Sequence, residues 1–360
     1  MAVTPEDFGA IGNGVSHPIS ERFQTLGQAQ GVYPHVTSMT DECDWAAWQA
    51  AINQYGRLGV QERYVPGPVC GTPGQHYVIN KSIRLRQSYL KFDGRYCAIR
   101  NTNASVATIL VDHDDVHASP LSVRVERVYL MGGNRGVDAY SAPELEIQNV
   151  FVKDLYHSIF DTAHLAYGTQ GQGIRLNGCV SATIRDCGID KPGSIGVYVR
   201  AYEKTAAGQS VIAESQKVLV DNVRVNYGAS VGILFSEGGS HVASNCTVQV
   251  CAGGGIIWRS VYSFTGAHNY FEANGNYDLI YEYLPEYLAE RNSSGALLID
   301  NQCASTNNIL LASGADTRVF ANRLSGASVI SAQAQRTRWG AQTEQGSLTN
   351  SAGASTIFEA

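Results

Sequence analysis

The stretch "VGILFSEGGSHVASNCTVQVCAGGGIIW", residues 231–258, contains one phrase twice. "GILF" at Gly232 returns as "GIIW" at Gly255, and "SNCTVQV" at Ser244 echoes "DNVRVNY" at Asp221, both at an interval of 23 residues. Aligned on the residue after the glycine, Ile174, Val197, Ile233, Ile256 and Leu279 form one column, with Val137 and Phe160 as its upstream members. A second column holds Asn149, Asp186, Asn222, Asn245 and His268, with Asn301 and Asn322 as a continuation at a shorter period. Each of these polar residues opens a short strand with apolar residues at every second position. A unit this short cannot bury its apolar face alone and must stack on copies of itself. The pattern predicts a parallel β-solenoid in which each unit is one rung, rungs lie about 4.8 Å apart, and a sequence column becomes a ladder in space. The Asn column then satisfies backbone groups at the turns.

The chain has 360 residues, is rich in glycine (37) and carries a net charge of −6. With no run of Lys or Arg, this balance argues against a nucleic-acid surface. No apolar run reaches bilayer length, so membrane insertion is not expected. The N-terminus "MAVTPEDFGA" lacks a basic region followed by an apolar one. No signal peptide is therefore expected, and a cytoplasmic, secreted or virion-associated location stays open. The eight cysteines include no C-x-x-C pair and no zinc spacing, so they read as small buried hydrophobes, and no cofactor or metal is expected.

The first hundred residues differ from the repeat. "EDFGAIGNGV" is followed by "DECDWAAWQAAINQYG", an Asp-capped segment at helical spacing, and then by strands broken by Pro and Gly. The matching positions are Asp7, Phe8, Gly9, Ala10, Gly12, Asn13 and Gly14; then Asp44, Ala47, Gln49, Ala50, Ala51 and Ile52; then Val65, Pro66, Gly74, Tyr77 and Ile79. In this order they resemble the opening of the pectate-lyase-like superfamily, which includes relatives of glycoside hydrolase family 28 and phage tailspikes. The chain departs from that pattern in the long stretch between "GNGV" and "DECDW". The resemblance implies an all-β, single-stranded, right-handed parallel β-helix whose N-terminal mouth is covered by a helix, and often a homotrimer. The expected organisation is a cap and first rungs over 1–100, the β-helix over 101–330, and a cap or subunit-contact tail over 331–360.

Three insertions follow the "GI" strand, at 161–172, 200–216 and 285–296. The rungs at Ile233 and Ile256 carry none, so two walls with a gap between them are expected, a bed for a linear polymer. Alternation places Arg175, Tyr198, Leu234, Ile257 and Ile280 outward, and two residues on Asn177, Arg200, Ser236, Arg259 and Glu282. Asp138 and Asp161 are expected as rung neighbours about 5 Å apart, as in a retaining glycosidase, with His164 just inside the loop. Glu237, Arg259 and Glu282 make a second cluster, in which the cation is expected to lower the carboxyl pKa values. Tyr281, Tyr283 and Tyr287 could stack on sugar rings.

The candidate catalytic residues are therefore Asp138, Asp161, Glu237 and Glu282. The candidate substrate-binding residues are His164, Arg175, Tyr198, Arg200, Arg259 and Tyr283. The favoured function is cleavage of glycosidic bonds in a poly- or oligosaccharide by paired carboxylates, with hydrolysis ahead of lyase β-elimination or intramolecular glycosyl transfer. A non-catalytic glycan-binding tailspike or adhesin module is the alternative.

Overall fold

The computed structural model describes residues 2–58, 68–112, 122–155, 171–206, 209–282, 295–344, 346–352 and 356–358. Each rung crosses three parallel faces. In one rung, Thr183–Arg185 turns at Asp186 into Gly188–Asp190, and Val197–Arg200 follows. Ile184 lies between Ile147 and Val220, Ile189 between Val152 and Val225, and Val197 between Ile174 and Ile233. The first column of the repeat is a true ladder, continuing from Ile233 through Ile256 to Leu279. Phe160 lies outside the described residues. Val137 pairs directly with Ile174, so no rung lies between them on this face, and the interval of 37 is one rung plus an insertion.

The glycine that opens each phrase has a steric reason. A Cβ on Gly232 would come 2.2 Å from Cγ1 of Val248 and 2.9 Å from the carbonyl oxygen of Gly255. Gly173 and Gly196 meet the next rung in the same way, at 2.5 Å from its carbonyl. The bare backbone lets this corner close against the side chains of the facing wall.

The second column marks one-residue corners. Asn149, Asp186, Asn222, Asn245 and His268 all have φ between 50° and 56°, the left-handed region that short polar side chains enter most readily. The corner continues at Asp300 and Ala321, not at Asn301 and Asn322. Those two belong to a buried ladder one residue further on, which the shorter rungs bring into view. Asn269 donates from Nδ2 to Oδ1 of Asn301 at 2.9 Å, and Asn301 does the same to Asn322. The backbone N–H groups of Asn269, Asn301 and Asn322 each donate to the amide oxygen of the following rung, the last being Gln342.

Inward residues fill the bore. Phe235, Trp258 and Tyr281 stack in register, the last two rings 5.3 Å apart and 13° from parallel. Tyr281 is thus a core residue, 1% exposed, and does not present its ring to a ligand. All eight cysteines are buried and free.

Two helices close the N-terminal end, Leu26–Val32 (α1) in the long stretch after "GNGV", and Cys43–Leu58 (α2). Asp44 at the start of α2 accepts backbone N–H bonds from Ile11, Gly12 and Val78, tying the opening segment and the first rung to the helix. Trp48 lies flat on Phe92 at 4.8 Å, sealing the bore. The helix thereby covers a strand edge that would otherwise invite pairing. At the other end parallel pairing runs past 330: Thr337–Trp339 stacks on Arg318–Phe320, and Thr356–Phe358 on Thr337–Trp339. The segment assigned to a cap or tail contributes further rungs.

Candidate functional site

Two outward rows run along the face that carries the "GI" strands. The first is Asp138, Arg175, Tyr198, Leu234, Ile257 and Ile280; the second is Tyr140, Asn177, Arg200, Ser236, Arg259 and Glu282. The alternation expected from sequence is the one observed. Asp161, His164, Tyr283 and Tyr287 lie outside the described residues, as does most of the insertions at 161–172 and 285–296. The insertion at 200–216 is an antiparallel hairpin, Tyr202–Ala206 with Gln209–Ala213, rising directly after Arg200.

At the N-terminal end of these rows, Arg175 is a rung neighbour of Asp138. Arg175 donates to the two carboxylate oxygens from Nε at 2.8 Å and Nη2 at 2.6 Å. Asn177 Nδ2 adds a bond at 3.0 Å, the Tyr140 hydroxyl one at 3.2 Å, and Arg135 Nη1 lies 3.4 Å away. Burial pushes the Tyr140 phenol up, and the Asp138 charge adds to this. Asp138 is 2% exposed with both oxygens engaged, so it is arranged to position Arg175 rather than to pass a proton to a ligand. The partners Tyr140, Asn177 and Arg135 were not picked out as site residues, although Tyr140 stands two residues beyond Asp138 on the same face.

The middle of the first row is apolar and closed. Leu234, Ile257 and Ile280, expected to point outward, are buried with Ile195 and Val231 in a second hydrophobic cluster against which Tyr198 packs. Alternation gives the direction of a side chain but not whether something covers it.

In the second cluster Ser236, not Glu237, is in register with Arg259. Ser236, Arg259 and Glu282 are successive rung neighbours, and Glu237 follows Ser236 at a bend with φ 67° inside the continuous strand Val231–Ser244. Arg259 is buried, and its Nη2 lies 2.5 Å from Oε1 of the partly exposed Glu282. Arg200 is exposed at the edge, with its guanidinium 5.8 Å from the ring centre of Tyr198. The expected lowering of the Glu237 carboxyl is reversed. Burial raises it above the usual carboxylate range, outweighing the attraction of Arg200 and Arg259. The Glu237 carboxyl and the ion-paired Glu282 therefore stand two rungs apart, about 10 Å between backbones. Among the described residues, no group of three His, Cys, Asp or Glu side chains is placed to hold a metal ion.

Comparison with known proteins follows the geometry. No curated protein sequence matches the chain. Among solved structures, the Streptococcus pneumoniae surface protein and adhesin PfbA superposes with a TM-score of 0.58 at 11% identity, over 99% of this chain and 97% of that one. Geobacillus virus E2 ORF18 gives 0.52 at 13% identity, over 99% and 59%. A tailspike protein of E. coli bacteriophage HK620 gives 0.52 at 10% identity, over 99% and 64%. The chain thus spans less than two thirds of the length of the two phage proteins. At these identities the likeness is one of fold. The profile described as right handed beta helix region matches residues 107–310, more than half of the chain. The stacked three-faced rungs and this match together make the chain a member of the right-handed parallel β-helix family.

Proposed function

We propose that the protein is carbohydrate-active and cleaves a glycosidic bond of a poly- or oligosaccharide at the Glu237–Arg259–Glu282 cluster. The observation that carries this reading is the placement of two carboxyl groups about the buried Arg259, Glu237 at a partly buried bend and Glu282 two rungs on. Glu237 is raised by burial, as a proton donor to a leaving oxygen requires, and Glu282 is paired with Arg259 as a carboxylate. Their two-rung separation fits an inverting hydrolase, in which the second carboxylate activates a water, better than the retaining pair at about 5 Å. Arg200 and Tyr198 border the site and would orient the sugar on one side. Asp138 acts indirectly, through Arg175. A phage tailspike and a bacterial surface adhesin are among the structural neighbours, and the superfamily resemblance of the first hundred residues implies a trimeric assembly. Ile357 and Phe358, 52% and 58% exposed on the last described strand, are surface that such an assembly would bury.

The test is incubation with neutral and uronate-containing glycans while following new reducing ends and the ultraviolet absorbance of unsaturated sugar. Reducing ends without absorbance mean hydrolysis. Both signals together mean β-elimination, with Arg200 facing the uronate. Neither signal, with glycan binding retained, means a non-catalytic binding module.

A further inference from the structure

A third face, away from the "GI" strands, carries a second outward row that the proposed reaction does not use. Its members in successive rungs are Tyr129, Phe151, Gly188 and Arg224. Tyr129 lies on Phe151 with ring centres 5.1 Å apart and planes 21° apart, and Tyr96 extends the group at 6.3 Å. Tyr129 is 41% exposed and Tyr96 48%, a large aromatic surface to leave in water on a rigid scaffold. The stack then stops, because the next rung offers only hydrogen at Gly188. A Cβ there would come 2.9 Å from Cδ1 of Phe151. The Phe151 ring leans over this bare backbone, and Arg224 stands in the rung beyond, about 10 Å from Phe151 between backbones. The missing side chain at Gly188 leaves a slot beside Phe151, and Phe151, Gly188 and Arg224 line one cavity.

This slot is part of a cavity of about 490 Å³. Its two long edges are polar. On the corner side stand Asp186 and Asn222, joined by a bond of 2.8 Å from the Asn222 amide to the carboxylate. On the other side Lys153, Asp190 and Asn226 are rung neighbours. Two cations face two carboxylates, so the lining favours neither an anion nor a cation. It offers amide and carboxylate groups at several points around one apolar platform. That is the chemistry of a pyranose, with C–H bonds on a face and hydroxyls around the edge.

We propose that this slot is a binding site for one neutral pyranose unit, separate from the Glu237–Glu282 cluster and non-catalytic. The test is ligand-observed NMR titration of the full chain with methyl glycosides of glucose, galactose, mannose, rhamnose and N-acetylglucosamine, with methyl galacturonoside as the charged control. At least one neutral glycoside is expected to bind. Gly188→Leu, which fills the slot, should weaken binding about tenfold or more, and so should the surface double variant Asp190→Ala/Asn226→Ala, which leaves the packing intact. Glu237→Gln and Glu282→Gln should leave it unchanged, so the outcome is independent of whether the proposed reaction occurs. Absence of binding by every neutral glycoside would overturn the proposal, as would unaltered affinity in both slot variants or a preference for the uronoside.

Discussion

Glu237 owes its chemistry to a bend of one residue. With φ at 67° it leaves the alternation of its strand, becomes half-buried, and its carboxyl rises despite two nearby arginines. If it is the general acid, activity falls as pH rises through its raised pKa. Glu237→Gln should lower kcat by about 10²–10⁴-fold and abolish that alkaline limb, which a pH–rate profile reads directly. Asp138 should behave in the opposite way. Its removal as Asp138→Ala leaves the buried Arg175 charge without its partner, at a cost of about 3–5 kcal/mol in chemical denaturation. An Asp138→Ala protein of wild-type stability would show that the pair is not the anchor described here.

At the scale of the rung, stability lies in ladders. Asn301→Ala would leave the Asn269 backbone N–H without its acceptor inside the wall and its side-chain amide with only the Ala243 carbonyl, and should cost about 2–4 kcal/mol in denaturation. A second buried device is pH-dependent. Asp278 takes the position of the opening glycine in its rung and accepts bonds from Asn274, Ser305 and Asn308, yet burial holds its carboxyl at about 6. Between its ordinary 3.8 and about 6 the folded state keeps a proton that the unfolded chain has released, so stability falls as pH rises through that window. Denaturation midpoints measured across it should decline for the wild type and lose that component in Asp278→Asn; an identical slope in both would contradict the assignment. The ladders also explain what the sequence could show. The Ile233–Ile256–Leu279 column was legible because inward direction recurs once per rung. Asn301 and Asn322 were placed one column off because the rung from Asn269 to Asn301 lengthens to 32 residues and the next shortens to 21, so counting slips. The interval of 37 between Val137 and Ile174 was read as more than one rung because an insertion shorter than a rung still imitates the period. Nothing in the alternation of Leu234, Ile257 and Ile280 signals that their outward faces are covered.

For the whole molecule, the β-helix is a rigid rod that can hold side chains from distant segments in line, here from Asp138 to Glu282. If the chain assembles as proposed, sedimentation should give the mass of three chains, and Ile357→Asp/Phe358→Asp should shift it towards one; a monomer at all concentrations would remove the trimer from the account. The cap makes a further demand on the rod. Asp44→Ala frees three backbone donors at the mouth and should lower the unfolding midpoint by an amount equivalent to about 3 kcal/mol or more. The central claim concerns the sugar bond. The most direct measurement compares wild type and Glu237→Gln on a glycan panel, following new reducing ends, with circular dichroism as the check on folding. The account predicts product from the wild type and none from an equally folded variant. Equal product from both, or no substrate consumed by the wild type across neutral and acidic glycans, would contradict it.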